Sequence, residues 1–155
     1  IIQQYTIQNK SALGNIEYVS MLNGMIFGCL HFLSKQTGQD IEIVLGKMSN
    51  TGKIVLIFYD FDKSSFWEKQ DEDIYSDGNG KIYTKKKFIK LLSTSMGGDY
   101  CTTMGNNGVK FSEGYMTIAK MVGFEDIAVA VLNNINMLEE MLLQGGRKKR
   151  KVRVG

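Results

Sequence analysis

Proline is absent from this chain of 155 residues, although average usage of about 5% would supply roughly eight. Glycine, asparagine and serine must therefore punctuate it. Histidine occurs once and cysteine twice. Cys29 and Cys101 have neither metal-ligand spacing nor a histidine cluster beside them. That speaks against a zinc site and reads as free thiols in a reducing compartment. No apolar run reaches the roughly 18 residues that span a bilayer. The longest, Met21–Leu33, is interrupted by Asn23, Gly24, Gly28 and His31. The chain begins at Ile1 without a basic leader or signal-peptide core, as a fragment or processed product would.

What is present suits a globular chain. Apolar residues make up 43% and charged residues 23%, both ordinary values. One domain of about 100–150 residues with short extensions is expected. The net charge of +3 is unevenly placed. Arg147, Lys148, Lys149, Arg150, Lys151 and Arg153 carry six positive charges, and without them residues 1–146 stand at −3. The body is acidic and one tail is basic.

The patterning predicts the following elements. Residues 1–17 are a polar lead-in. From Tyr18 to Leu33 the apolar positions recur with helical spacing. Gly24 and Gly28 lie within that helix, where each costs about 1 kcal/mol against alanine, so each requires a reason such as close packing. Ile41–Leu45 alternates as a strand. Ser49-Asn-Thr-Gly52 is a turn. Lys53–Tyr59 reads as a central strand buried on both faces, pairing with the first as an antiparallel hairpin. Ile54, Leu56, Phe58 and Leu92 are expected in the core. Residues 60–82 read as a long irregular segment, with Phe66-Trp67 tucked against the body. Thr84–Met96 is a helix ended by Gly97-Gly98. Tyr100–Thr103 and Val109–Phe111 read as a short hairpin around Gly105-Asn-Asn-Gly108. Glu113–Val122 is a helix, Ile127–Leu132 a strand, and Asn133–Leu143 a helix stopped by Gly145-Gly146.

Several of these segments, taken in order, resemble the ATP-binding domain of histidine kinases, the GHKL or Bergerat fold. Met21-Leu-Asn-Gly-Met-Ile-Phe-Gly28-Cys-Leu-His31-Phe32 resembles the asparagine-box helix. Gly28 stands where the Mg²⁺-holding asparagine would be, and His31 where a lysine is common. Asp60, after Ile57-Phe-Tyr59, resembles the adenine-binding aspartate, but Phe61-Asp62-Lys63-Ser64 replaces the glycines that should follow. Tyr83-Thr-Lys-Lys-Lys87 stands in place of the phosphate-binding glycines. Phe88-Ile-Lys-Leu-Leu-Ser-Thr-Ser-Met-Gly-Gly-Asp-Tyr100 looks like the family's second helix. Gly105-Asn-Asn-Gly-Val-Lys-Phe111 looks like the segment that opens its last strand. Ile127-Ala-Val-Ala-Val-Leu132 faintly resembles the first strand of a response-regulator receiver, with Asn133 and Asn134 where acids would stand.

The resemblance implies an α/β fold of the α+β kind: a mixed, mostly antiparallel sheet with helices on one face. It implies a domain over residues 18–123, a strand–helix extension over 124–146 and a basic tail over 147–155. Gly28, His31, Asp60 and Asp62 would be the remnants of a nucleotide site. Such a site needs a carboxylate for adenine, an amide oxygen for Mg²⁺ and exposed backbone N–H groups for phosphate. Only the first is present. The expectation is therefore a non-catalytic signalling module that acts through protein contacts and holds no cofactor. The alternatives are a divergent ATPase or kinase domain in which Asp60 still holds adenine, and a nucleic-acid-associated protein.

Rival motifs are weaker. Asp77-Gly-Asn-Gly-Lys-Ile82 resembles the middle of an EF-hand loop but lacks the closing bidentate acid, so an exposed Asn-Gly turn is the simpler reading. Asp60 and Asp62 could pair on a metal, but two acids at a strand exit are more often solvated. Lys85, Lys86 and Lys87 oppose the macrodipole of the helix they open, which favours an anionic partner nearby. The methionines at 116, 121, 137 and 141 read as core or interface filler. Arg147 to Lys151, with Arg153, read as a nuclear-localisation or nucleic-acid patch. Partners expected from the sequence are thus a protein, a second copy of the chain, or nucleic acid through the tail. The location expected is intracellular, with a nuclear alternative. Polyanion binding through the tail should be electrostatic. With about −0.9 per neutralised duplex phosphate, five or six contacts give a log–log salt slope near −5, measurable by titrating duplex DNA at several salt concentrations.

Overall fold

The structure, a computed structural model, describes residues 16–96 and 105–135. It has four helices and five strands among those residues. Their order is α1 (Ile16–Gly28), a widened π turn (Cys29–Leu33), β1 (Glu42–Lys47), β2 (Ile54–Tyr59), β3 (Trp67–Asp71), β4 (Ile74–Asp77), β5 (Ile82–Thr84), α2 (Lys85–Ser95), α3 (Gly105–Val122) and α4 (125–135). The fold is mixed α+β, and every described strand pair is antiparallel. The strands divide into a β1–β2 hairpin and a β3–β4–β5 meander.

α1 and α3 pack with their backbones nearly touching, and glycine makes this approach possible. A Cβ built on Gly24 would overlap the Phe111 carbonyl oxygen and lie 2.9 Å from the Tyr115 nitrogen. On Gly114 it would overlap the Met21 carbonyl oxygen, and on Gly28 it would lie 2.8 Å from Ile118 Cβ. The close packing that the sequence demanded of Gly24 and Gly28 is thus α3. The helical cost of each glycine is offset by the contact it permits.

α3 is longer than the sequence suggests. Gly105–Val122 is one helix, so Val109–Phe111 does not belong to a hairpin or open a last strand. The apolar positions explain why. Phe111, Tyr115, Ile118 and Ala119 are buried at spacings of four, three and one, the stripe of a helix rather than the alternation of a strand. Gly123, at φ +81°, stops it. Phe124 N–H then donates to the Ala119 carbonyl at 2.9 Å, and Gly123 N–H to the Lys120 carbonyl at 3.4 Å. Together these bonds satisfy orphan carbonyls at the end of α3.

The strand expected at Ile127–Leu132 is instead part of α4. Its buried residues are Ile127, Ala128, Val131, Leu132 and Ile135, while Val129 is 44% exposed. A short apolar run does not distinguish strand from helix by itself. Here Glu125 and Asp126 in the first turn favour the helix through its dipole. The receiver-like reading of this run therefore fails. The expected extension from residue 124 shares the core of the residues before it.

Residues 60–82, expected to be irregular, contain β3, β4 and the start of β5. Trp67 is 2% exposed and meets Tyr75, Phe88 and Phe124 edge-on. Tyr75 and Phe88 stack at 4.2 Å. Such ring pairs add about 0.5–1.5 kcal/mol beyond the area they bury, and they fix the meander against α2. Phe66 points outward, at 64% exposure. The turn after β4 is held by Asp77, whose carboxylate accepts from the Asn79 and Lys81 N–H groups. It is a side-chain-capped turn, and nothing in it closes a calcium loop.

The hairpin and α2 follow expectation in kind. β1 pairs with β2 from Glu42↔Tyr59 to Lys47↔Ile54. α2 begins at the Thr84 N-cap, whose oxygen accepts from Lys87 N–H, and it buries Phe88 and Leu92, with Met96 just beyond its end. β2 is not buried on both faces. Phe58 meets Phe27 edge-on, but Ile57 and Tyr59 are 44% and 40% exposed. A two-stranded ribbon that packs one face on the core leaves its alternate residues in water. The expectations for the side chains of Ile54 and Leu56, for residues 1–15, for Gly97–Thr103 and for residues 136–155 fall outside what the structure describes.

Gly24→Ala tests the helix crossing. Propensity alone would stabilise the protein by about 1 kcal/mol. The backbone overlap should instead cost about 1–3 kcal/mol, as overpacking does. Denaturant unfolding reads the sign, and a more stable variant would contradict the crossing described.

Candidate functional site

His31 is the only histidine of the chain and is completely buried. The π turn presents it to three other elements. Nε2 lies 2.9 Å from Ser95 Oγ, at the end of α2. Nδ1 lies 2.7 Å from the Tyr115 hydroxyl, on α3. Its backbone carbonyl accepts from the Trp67 indole N–H at 2.9 Å, which satisfies a carbonyl at the helix end. Ser95 Oγ also donates to the Leu92 carbonyl at 2.6 Å. Its single proton is then committed, so Nε2 carries the hydrogen and Nδ1 accepts from Tyr115.

Burial pushes the imidazole pKa down to about 3, against a smaller upward pull from a backbone hydrogen bond at Thr37. The ring is therefore neutral at physiological pH. Serine, histidine and an orienting hydroxyl in a row have the connectivity of an activated nucleophile. The chemistry does not follow, because a base with a pKa near 3 takes no proton from serine and the serine proton is already bonded. The cluster is a buried polar tie between elements. Residues 31, 95 and 115 are far apart in sequence, and no spacing or motif links Ser95 and Tyr115 to His31.

The four residues expected to be remnants of a nucleotide site do not share a pocket. Gly28 packs on Ile118 and His31 is sealed in the core. Asp60 and Asp62 are exposed beyond β2. Asp60 takes a left-handed conformation, φ +65°, which aspartate tolerates better than most residues. Asp62 beside it raises the Asp60 carboxyl above the usual range, first by a hydrogen bond and then by charge, and Glu42 adds to the repulsion. Lys63 pairs with Asp40 at 2.9 Å. No group of three metal-ligating side chains occurs among the described residues.

Lys86 and Lys87 are exposed and Lys85 is half-buried on the first turn of α2. No ion pair among the described residues engages them. Arg147, Lys148, Lys149, Arg150 and Lys151 lie outside the described residues. One open groove of about 630 Å³ follows a face of α3 at Val109, Ser112, Glu113, Met116 and Lys120. Among the described residues no helix is long and apolar enough to cross a membrane. No protein-family model, curated protein or solved structure matches the chain.

The histidine has a pH signature. Its folded pKa lies below the unfolded value of about 6.5, so the unfolded chain binds a proton that the folded chain refuses. The His31 contribution is fully present above about pH 6.5 and is lost as pH falls from there toward 3. Urea unfolding midpoints should therefore fall between about pH 6.5 and 5, where carboxylates in their ordinary range scarcely titrate and the raised Asp60 acts in the opposite sense. In His31→Gln that fall should disappear, although the variant will be less stable at neutral pH. A variant that kept the fall would exclude His31 as its source.

Proposed function

We propose that this chain is a non-catalytic signalling or regulatory module, related to the ATP-binding domain of histidine kinases, that acts through protein contacts. The observation that carries this reading is the closed packing around the asparagine-box helix. Phosphate binding requires free volume and a fan of exposed backbone N–H groups. At the corresponding helix, Gly28 packs directly on Ile118 and His31 is hydrogen-bonded on both nitrogens. Neither has room for an anion. The order of helix, antiparallel hairpin and second helix through Met96 supports the kinship, although the helical Val109–Phe111 takes the last matching segment away. Exposed Ile57, Tyr59 and Phe61 offer the kind of apolar surface through which proteins meet. No cofactor enters this reading.

Calorimetric titration with ATP and Mg²⁺ tests it. The expected result is no saturable heat on a protein verified as folded by circular dichroism. Micromolar, Mg²⁺-dependent binding would overturn the non-catalytic reading and restore Asp60 as an adenine ligand.

A further inference from the structure

We propose that the outer face of the β1–β2 hairpin is a docking surface for the basic segment Arg147–Val154 of the same chain. This inference stands independently of any kinship with histidine kinases. It begins with the face itself. The register sets Tyr59 opposite Glu42, and the Tyr59 hydroxyl donates to the Glu42 carboxylate. Ile57, two residues earlier on β2, shares their side, the one turned away from Phe27. Ile57 and Tyr59 are 44% and 40% exposed, and Phe61 just beyond β2 is 41% exposed. Among the described residues no third strand joins the hairpin, and sheet edges are places where a further strand can add.

The rim of this face is acidic. Asp40, Glu42, Asp60 and Asp62 gather at the hairpin base, and Lys63 is the one described cation among them. Asp62 holds the neighbouring Asp60 carboxyl above its usual range, and Glu42 adds to the repulsion. An incoming ammonium or guanidinium would relieve that repulsion, so the face favours a cationic occupant with apolar side chains.

Arg147-Lys-Lys-Arg-Lys-Val-Arg-Val154 has that composition. Its last four residues alternate cation and valine, the period of a strand, so one side could meet Ile57 and Tyr59 while the other carries charge. The segment holds six cations, and the rest of the chain carries a net −3. Eleven residues, 136–146, separate α4 from Arg147. Fully extended they reach about 40 Å, enough to cross a domain of this size. A tethered segment also meets its site at an effective concentration near millimolar, which free competitors must exceed.

Zero-length carbodiimide cross-linking of the full chain tests the assignment, because it joins lysine and carboxylate only where they already touch. An equal mixture of isotope-labelled and unlabelled chain distinguishes links within one chain from links between two. The expected products join Lys148, Lys149 or Lys151 to Glu42, Asp60 or Asp62 within one chain, and they diminish as salt shortens the screening length. Asp60→Lys with Asp62→Lys should lower their yield by about tenfold, as like charges set face to face would. Adding Lys148→Glu and Lys149→Glu to that variant should restore cross-links, now between the two carboxylates introduced in the tail and the two lysines introduced at the hairpin base. Asp60 and Asp62 are exposed, and circular dichroism checks the fold of each variant. Links spread evenly over Glu68, Glu72, Asp73 and Glu113 would overturn the proposal. Links of mixed isotope mass alone would overturn it in favour of docking between two copies.

Discussion

The hydrogen bonds around His31 fix the register of elements that apolar packing brings together. Its ring joins the π turn to the end of α2 through Ser95 and to α3 through Tyr115. Its carbonyl joins the same turn to β3 through Trp67. Each of these groups is buried or nearly so, and an unmet polar group there would cost about 1–3 kcal/mol. The network therefore discriminates between packings more than it adds net stability. A shifted α2 would strand Ser95 and one ring nitrogen together. The π turn is part of the device, since Ser34 N–H bonds back to the Cys29 carbonyl at 2.8 Å and the widened turn directs the histidine across the α1–α3 contact.

That arrangement depends in turn on glycine. Tyr115 can reach Nδ1 at 2.7 Å because α3 lies against α1 without intervening side chains at Gly24, Gly28 and Gly114. Methyl groups at those positions would separate the helices and stretch the bond beyond hydrogen-bonding range. The same contact fills the space that an anion site on that face of α1 would need. Tight packing and an open phosphate site are competing uses of one face of α1.

The elements legible in the sequence are those with a single consistent period. α1, the hairpin and α2 follow directly from apolar spacing and turn residues, although Thr84, read as part of α2, proves to be its cap. The elements that mislead contain conflicting signals. Gly105 and Gly108 suggest a turn, but both stand in a helix whose buried stripe is plain only from Phe111 onward. Ile127–Leu132 is short, apolar and partly β-branched, a composition that helix and strand share. β3 and β4 are hidden by charge, because Trp67-Glu-Lys-Gln-Asp71 buries one residue and exposes four, so it has no apolar alternation to read. The candidate site is the least legible. Ser95, Tyr115 and Trp67 converge on His31 only through the folded chain, and none carries a local motif that marks it.

The charge distribution follows from these packing demands. The helices bury apolar stripes and exclude ionised groups from the core, and the only imidazole is held neutral there. Carboxylates lie on exposed positions such as Glu68 and Glu113, and one collection gathers where β1 begins and β2 leaves the sheet. Two of its members, Asp40 and Asp60, take left-handed conformations that turn the chain sharply and crowd their neighbours. Crowding raises the Asp60 carboxyl pKa, which is a free-energy cost of the folded state in the absence of a counter-charge. Lys63 supplies one counter-charge through Asp40, but its single ammonium cannot neutralise four acids. The uncompensated charge lies beside the exposed apolar residues Ile57, Tyr59 and Phe61. A ligand that brought cations alone would leave those side chains in water, and one that brought apolar groups alone would desolvate the acids without pairing them. A segment carrying both, in alternation, satisfies the two requirements together.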